Sequence, residues 1–155
     1  MFGFTGLLCI VDNTCYKLGG DKNFEEAKMT TYAPLSSLLD CAESGYSTPQ
    51  TLKEWDTLEA KHPLIYSSIV ELDGKLTAFG GSYEERLRCG TKFISTYDPV
   101  RATWVECKGA ELPVPLYRPG VVKLEDNKVM VIGGQPKMQQ FSQEVYIGSF
   151  IANPP

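Results

Sequence analysis

Three glycine doublets, each preceded at the same distance by a turn-forming dipeptide, constrain the fold of this 155-residue chain more than any other feature. Asp73-Gly74 lies between two apolar runs and seven residues ahead of Gly80-Gly81. An Asp-Gly pair in that context predicts a two-residue hairpin turn, because a type I′ turn needs positive φ at both central residues. Two further units share the spacing: Asp12-Asn13 with Gly19-Gly20, and Asp126-Asn127 with Gly133-Gly134.

The apolar runs between these turn signals predict eight strands, over residues 5–11, 14–19, 64–72, 75–80, 92–97, 103–107, 119–125 and 128–133. Further strands are expected near Met29–Ala33, Ser37–Cys41 and Glu144–Phe150. The pattern of Thr51–Lys61 allows either a short helix or a displaced fourth strand, and the proline-rich Gly109–Pro119 predicts a connector. Successive doublets are 61 and 53 residues apart, and a period near 50 is typical of β-propeller blades.

Tyr97 and Trp104, seven residues apart, follow the doublet at Gly80-Gly81. These residues resemble the kelch repeat, in which an apolar run ends in Gly-Gly and is followed by a Tyr and then a Trp. The resemblance implies an all-β fold, a partial, open kelch-type β-propeller of about three antiparallel blades whose tyrosines and tryptophan pack between blades. The implied division is a degenerate blade at 1–41, an irregular connector at 42–63, a second blade at 64–108 and a third at 109–155 that lacks its fourth strand.

Composition excludes several classes of protein. The chain is 43% hydrophobic and 22% charged, which favours a globular fold over disorder. A net charge of −4 without a basic run argues against a nucleic-acid partner. Five cysteines without a C-x-x-C pair predict free thiols in a reducing, cytoplasmic compartment rather than disulfides or a zinc site. No apolar stretch reaches 18 residues, so we expect no membrane span.

The sequence offers no motif for catalysis, a cofactor or a metal ion. The glycine doublets do not open a phosphate-binding loop, since none is followed by the Lys-Ser/Thr pair that such loops require. They are expected instead to allow positive φ or close packing at a strand end. His62 is the only histidine, whereas the copper centre of galactose oxidase, a propeller with kelch-like blades, uses two. We therefore expect no catalytic residue, no cofactor and no metal.

The loops that follow the glycine doublets are the predicted functional region. In kelch proteins these loops lie on one face of the propeller and bind partners, and an Arg often precedes the first strand of a repeat. Arg pairs bidentately with carboxylates, and Tyr and Arg are enriched at binding hot spots. The candidate partner-binding residues are Tyr83, Arg86, Arg88, Tyr117, Arg118 and Gln135.

The expected function is a non-catalytic protein-interaction module, such as a ubiquitin-ligase substrate adaptor or a cytoskeletal binding module. The alternative is a fragment of a kelch-containing enzyme, such as a galactose-oxidase-like oxidase, with its catalytic residues outside this chain. A third interpretation is a degenerate product without a stable function of its own. Three blades do not close a ring, so open blade edges are expected to cause self-association or aggregation, with a two-copy, six-bladed ring as one outcome.

Overall fold

The computed structural model describes residues 7–18, 30–36, 56–57, 64–83, 89–137 and 139–150. The strands in these ranges form three antiparallel sheets, each with its strands in chain order. Sheet 1 comprises β1 (Leu7–Val11), β2 (Thr14–Leu18), β3 (Thr30–Pro34) and β4 (Asp56–Thr57). Sheet 2 comprises β5 (Ser68–Leu72), β6 (Lys75–Phe79), β7 (Thr91–Asp98) and β8 (Thr103–Leu116). Sheet 3 comprises β9 (Gly120–Lys123), β10 (Lys128–Ile132) and β11 (Val145–Ser149).

All three predicted hairpin turns are confirmed. The φ angles are 45° and 60° at Asp12-Asn13, 50° and 70° at Asp73-Gly74, and 57° and 53° at Asp126-Asn127. Positive φ at both central residues matches the right-handed twist of the flanking strands. The first two strands of each sheet are therefore joined by the local turn that the dipeptide specifies.

The segment after Cys107 differs from its prediction as a connector. β8 continues to Leu116 and pairs with β7 as far as Thr91. Pro113 and Pro115 are tolerated there because β8 is the outermost strand of its sheet, where a missing N–H interrupts no further strand. Two register shifts along the β7–β8 pair break its regularity.

The fourth strand of sheet 1 also differs from expectation. Asp56–Thr57 pairs with β3, which supports the strand alternative over the helix at those two residues. The predicted strand at Ser37–Cys41 lies outside the described residues, as do Gly19-Gly20. Sheet 1 thus includes residues from the stretch that was predicted to be an irregular connector.

The first strands of the three sheets lie side by side, with β5 between β1 and β9. Two side-chain bonds join the β5–β6 hairpin to the hairpin of sheet 3. Lys123 Nζ lies 2.6 Å from Glu71 Oε2, and Asn127 Nδ2 donates to Asp73 Oδ1 at 2.8 Å. The hydrogen bond from Lys123 and a second from the Gly74 amide hold the pKa of Glu71 below its ordinary value. We refer to the Lys123–Glu71 and Asn127–Asp73 bonds, together with the Arg118–Tyr66 backbone bond described below, as the β5–β9 seam.

Sheet 2 separates two apolar cores because its side chains alternate between its faces. Leu76 and Ala78 face a cluster shared with sheet 1, whereas Phe79 faces a cluster shared with sheet 3. The rings of Tyr97 and Trp104, 5.6 Å apart, pack against the first cluster. In the other cluster, the partly buried aromatic rings are those of Tyr146 and Phe150, and the buried residues are Leu72, Phe79, Ile94, Leu112, Leu116, Val129 and Val131.

The aromatic residues singled out from the sequence therefore pack where two sheets meet. In sheet 1, the ring centroid of Tyr32 lies 6.0 Å from that of Tyr16, which packs against the first cluster. Apolar side chains are also exposed on the two end sheets, at Leu8 and Ile10 of sheet 1 and at Val122, Ile132, Val145 and Ile147 of sheet 3. These faces point away from sheet 2 by strand alternation.

Candidate interaction surface

In sheets 2 and 3, the segment that leads into the first strand pairs with the residue after the glycine doublet. Ile65 and Ser82 exchange two backbone hydrogen bonds, of 2.9 and 2.8 Å. Tyr117 and Gln135 exchange two of 2.9 Å in the equivalent place. The next residue along in each segment has a left-handed backbone, with φ of 60° at Tyr66 and 53° at Arg118. The two sheets thus present matching positions at the same end of their first strands.

The glycine doublets make this approach possible. Gly80 and Gly81 have φ of 63° and 107°, and the Gly81 amide donates to the Leu116 carbonyl at 2.9 Å. A Cβ on Gly81 would lie 2.8 Å from the Ile65 carbonyl oxygen, and one on Gly134 would lie 3.0 Å from Pro119 Cα. The expectation of positive φ and close packing is confirmed for both described doublets, because each doublet combines positive φ with a neighbour too close for a side chain.

Arg118 stacks on two tyrosines. Its Cζ atom lies 4.1 Å from the ring centroid of Tyr66 and 6.0 Å from that of Tyr117. The Arg118 amide donates to the Tyr66 carbonyl at 2.9 Å, which fixes the two residues next to each other. The Tyr117 hydroxyl donates to Gln135 Oε1, which anchors the polar end of the buried Tyr117 side chain. A cation over an aromatic face is stabilised by the quadrupole of the ring.

The Arg118 side chain is available to a ligand. The residue is exposed, and within the described ranges no carboxylate lies at ion-pair distance from it. The ion pairs of the described residues instead lie between the first strands of sheets 2 and 3, as for Lys123 with Glu71, or at turns, as for Arg101 with Asp98. Stacking covers the face of the guanidinium and leaves its N–H edge able to form a bidentate bond with a carboxylate.

The structure brings together half of the predicted site. Tyr117, Arg118 and Gln135 are in mutual contact or adjacent. Tyr83 is exposed one residue beyond Ser82, but its ring packs edge-on against Phe93 at 5.9 Å rather than against Arg118. The predicted residues Arg86 and Arg88 lie outside the described residues.

Comparison with known proteins gives a likeness of fold alone. No family model matches the chain, and no curated protein matches it. Among solved structures, that of YjhT is similar, with a TM-score of 0.60 and 18% sequence identity over 88% of this chain and 36% of that one. The chain therefore spans about a third of the length of YjhT and shares the fold of that part.

Tyr66 is the residue of this surface that the sequence reasoning missed. The sequence places Tyr66 in an apolar run. Only its position relates it to Arg118, because Tyr66 lies two residues before β5 and Arg118 lies two residues before β9. Aligning the repeats on their first strands would have placed the pair together. The stacking of Tyr66 with Arg118 depends on contact between sheets 2 and 3, and a local sequence pattern does not predict such a contact.

The described part of the chain contains no cluster of three or more His, Cys, Asp or Glu side chains that could hold a metal ion. His62 lies outside that part. Among the residues that the structure describes there is also no helix with the length and hydrophobicity needed to span a bilayer.

Proposed function

We propose that this chain is part of a kelch-type β-propeller and acts as a non-catalytic protein-interaction module. Three observations support the propeller arrangement. The sheets follow one another along the chain, each has its strands in sequential order, and the first strands lie side by side. The recurring turn dipeptides and glycine doublets give the sheets a common internal plan.

The observation that carries the interaction role is Arg118 itself. Its guanidinium is exposed, stacked on Tyr66 at 4.1 Å and free of a carboxylate partner within the described residues. An Arg that is already ordered by stacking loses less side-chain entropy on binding than a flexible one. The buried Tyr117 and its bond to Gln135 provide rigid support. The proposed partner is a protein that inserts an acidic side chain at this position.

Affinity capture with three matched baits tests this function. The wild-type chain, Arg118→Glu and Arg101→Glu are immobilised at equal density, and retained proteins are quantified by mass spectrometry. Arg101 is a suitable control because it is also exposed, yet lies in the β7–β8 loop beside Asp98. We expect the same proteins on the wild-type and Arg101→Glu baits, and at least about a tenfold loss on Arg118→Glu, since a charge reversal removes the pair and adds repulsion.

Circular dichroism and thermal melts of each bait show whether the fold is retained. Arg118→Lys refines the test, because it keeps the charge but loses the planar, bidentate fork, and an intermediate loss is expected. Retention of an identical set of proteins by wild type and Arg118→Glu would reject the proposed surface.

A further inference from the structure

Unpaired positive charge collects next to the glycine doublets of sheets 2 and 3. We refer to residues 80–83, 89–92, 117–118, 133–137 and 139–144 as the loop end of these sheets. Lys92, Arg118 and Lys137 are exposed there, and none of them forms an ion pair with a described residue. The carboxylate among these residues is that of Glu144. The stretch 84–88 lies outside the described residues, and its two Glu and two Arg have formal charges that cancel.

The opposite end of the same sheets, where the hairpin turns lie, has the reverse character. Asp73 and Asp126 occupy its turns. Two of its cations have aspartate partners, since Arg101 lies 3.8 Å from Asp98 and Lys128 lies 4.0 Å from Asp126. The whole chain has a net charge of −4. An acidic partner is therefore attracted to the loop end and repelled elsewhere, because complementary potentials orient partners as they meet.

Backbone pairing fixes the spacing of Arg118 and Lys137. Tyr117 and Gln135 form an antiparallel pair, with Arg118 one residue beyond Tyr117 and Lys137 two residues beyond Gln135. The two cations therefore lie on either side of that pair, with Cα atoms roughly 10 Å apart. Three residues of an extended strand span about the same distance. An extended segment can thus place two carboxylates, three residues apart, at the two cations.

Lys92 lies beside Lys137. The Gly90 amide donates a bond of 2.9 Å to the carbonyl of Pro136, the residue before Lys137. Lys92 follows Gly90 by two residues, and by strand alternation its side chain shares the β7 face of Ile94, which packs toward sheet 3. The loop of sheet 2 thus adds a third cation to the two of sheet 3.

Phe141 adds an apolar contact to the loop end. It is 74% exposed, although the loop that carries it is held by backbone bonds. Gln140 donates to the Lys137 carbonyl at 3.1 Å, and Ser142 donates to the Gly134 carbonyl at 2.9 Å. Aromatic residues are enriched in the contact patches of protein interfaces. The loop end therefore offers an aromatic ring next to its cations.

We infer that the loop end binds an extended acidic segment of a partner protein, one that carries an aromatic side chain between its carboxylates. The carboxylates pair with Arg118 and Lys137, Lys92 adds attraction, and the aromatic ring packs against Phe141. This inference rests on the proposed function and deepens it. The proposed function requires one acidic side chain at Arg118, whereas the charge and spacing of the loop end specify an extended segment with at least two.

Three synthetic peptides with blocked ends are the probes. GSEGFESG carries two Glu three residues apart with a Phe between them, GSQGFQSG is its neutral analogue, and GSEGSESG lacks the ring. Each is titrated into the ¹⁵N-labelled full chain and followed by NMR. We expect saturable binding of GSEGFESG with the largest shifts at the loop end, at least about tenfold weaker binding of GSQGFQSG, and about threefold weaker binding of GSEGSESG. Binding of GSEGFESG should weaken as NaCl is raised.

Matched variants of the chain locate the site. Lys137→Glu should weaken binding of GSEGFESG at least about tenfold. Lys75→Glu is its control, because Lys75 is also exposed and without an ion pair to a described residue but lies at the turn end of β6, and little change is expected. Lys92→Glu repeats the test on another element if Lys137→Glu disturbs its own loop. Phe141→Ser should remove the preference for GSEGFESG over GSEGSESG.

Several results would overturn the inference. These are absence of saturable binding, equal binding of GSEGFESG and GSQGFQSG, and equal weakening by Lys137→Glu and Lys75→Glu. Equal binding of an oligothymidylate of the same charge would also overturn it, since the loop end would then attract any polyanion. A loss with Arg118→Glu, but none with Lys137→Glu or Lys92→Glu, would leave a site for a single carboxylate and retain the proposed function. Unchanged protein capture by the Arg118→Glu bait would instead reject the proposed function itself.

Discussion

The side-chain amide of Asn127 donates a hydrogen bond of 2.8 Å to the carboxylate of Asp73 and so links the hairpin turns of sheets 2 and 3. Both residues occupy type I′ turn positions, with φ of 53° and 50°. The same dipeptides that close the two hairpins thus also supply a contact between the sheets.

Asn127→Asp tests this link. We expect a loss of about 1 kcal/mol in the free energy of unfolding at pH 7, because the donor is removed and a carboxylate is placed beside Asp73. Asn127→Gly is the matched control, since glycine keeps the positive φ and adds no charge, and its loss should be smaller. Urea unfolding gives the values. The difference between the variants should narrow in 1 M salt, which screens exposed charges, and a difference independent of salt would contradict an electrostatic origin.

The glycine doublets allow a graded prediction. Gly80→Ala should lower the free energy of unfolding by about 3 kcal/mol or more, because left-handed φ costs a non-glycine residue about 1–2 kcal/mol and the new Cβ would also collide with the Leu116 carbonyl oxygen. Gly133→Ala should cost about 1–2 kcal/mol, since its nearest contact is Ser142 O at 3.4 Å.

Gly74→Ala is the control for conformational strain alone, because Gly74 has φ of 70° and no atom within 4 Å of an added Cβ. Chemical denaturation of the three variants should rank Gly80→Ala as the least stable. Equal losses in the free energy of unfolding for Gly80→Ala and Gly74→Ala would show that the backbone around Leu116 moves aside without destabilising the fold.

Glu71 gives the chain a dependence on pH. The pKa of its carboxyl is lowered from an ordinary 4.5, first by the hydrogen bond from Lys123 and then by that from the Gly74 amide. A group with a lowered pKa in the folded state stabilises the fold above its ordinary pKa, and the contribution is lost as the pH falls through the folded-state value. Wild type should therefore exceed Glu71→Gln in melting temperature at pH 7, and the difference should shrink below about pH 4.5.

Lys123→Gln provides the cross-check for Glu71, because it removes the main cause of the lowered pKa. In that background, adding Glu71→Gln should change the melting temperature much less at pH 7 than it does in the wild type. Melts from pH 3 to 7 measure both differences. A Glu71→Gln effect that is the same at every pH would mean that the Lys123 pair contributes nothing to stability.

The cysteines should differ in reactivity. Burial raises the pKa of the Cys9 thiol, and the negative charge of Glu71 raises it further. Cys89 is exposed. Since the thiolate is the reactive form, iodoacetamide at pH 8 should modify Cys89 well before Cys9 in the folded chain. Peptide mapping by mass spectrometry follows each residue, and in urea the two rates should converge; equal rates without urea would show that Cys9 is accessible.

The hairpins could be predicted from sequence because their information is local. Asp73-Gly74 and Asp126-Asn127 specify positive φ whatever surrounds them, and the glycine doublets mark strand ends for the same reason. The extension of β8 through Pro113 and Pro115 could not be predicted from sequence, because proline indicates a connector unless the strand lies at the edge of a sheet. The stacking of Arg118 on Tyr66 joins residues of different repeats. A sequence pattern gives the position of each residue within its repeat but does not predict that the two residues are in contact.

The β5–β9 seam has a consequence for how the molecule folds. Each hairpin closes over two residues, whereas the bonds of the seam join partners 52 and 54 positions apart. Closing long loops costs more entropy and is slower than forming local turns. Individual sheets should therefore fold first, and their docking along the β5–β9 seam should follow as the late, rate-limiting step. In native-state hydrogen exchange, the amides of β5, held between two neighbouring sheets, should then be released only in the largest opening motions.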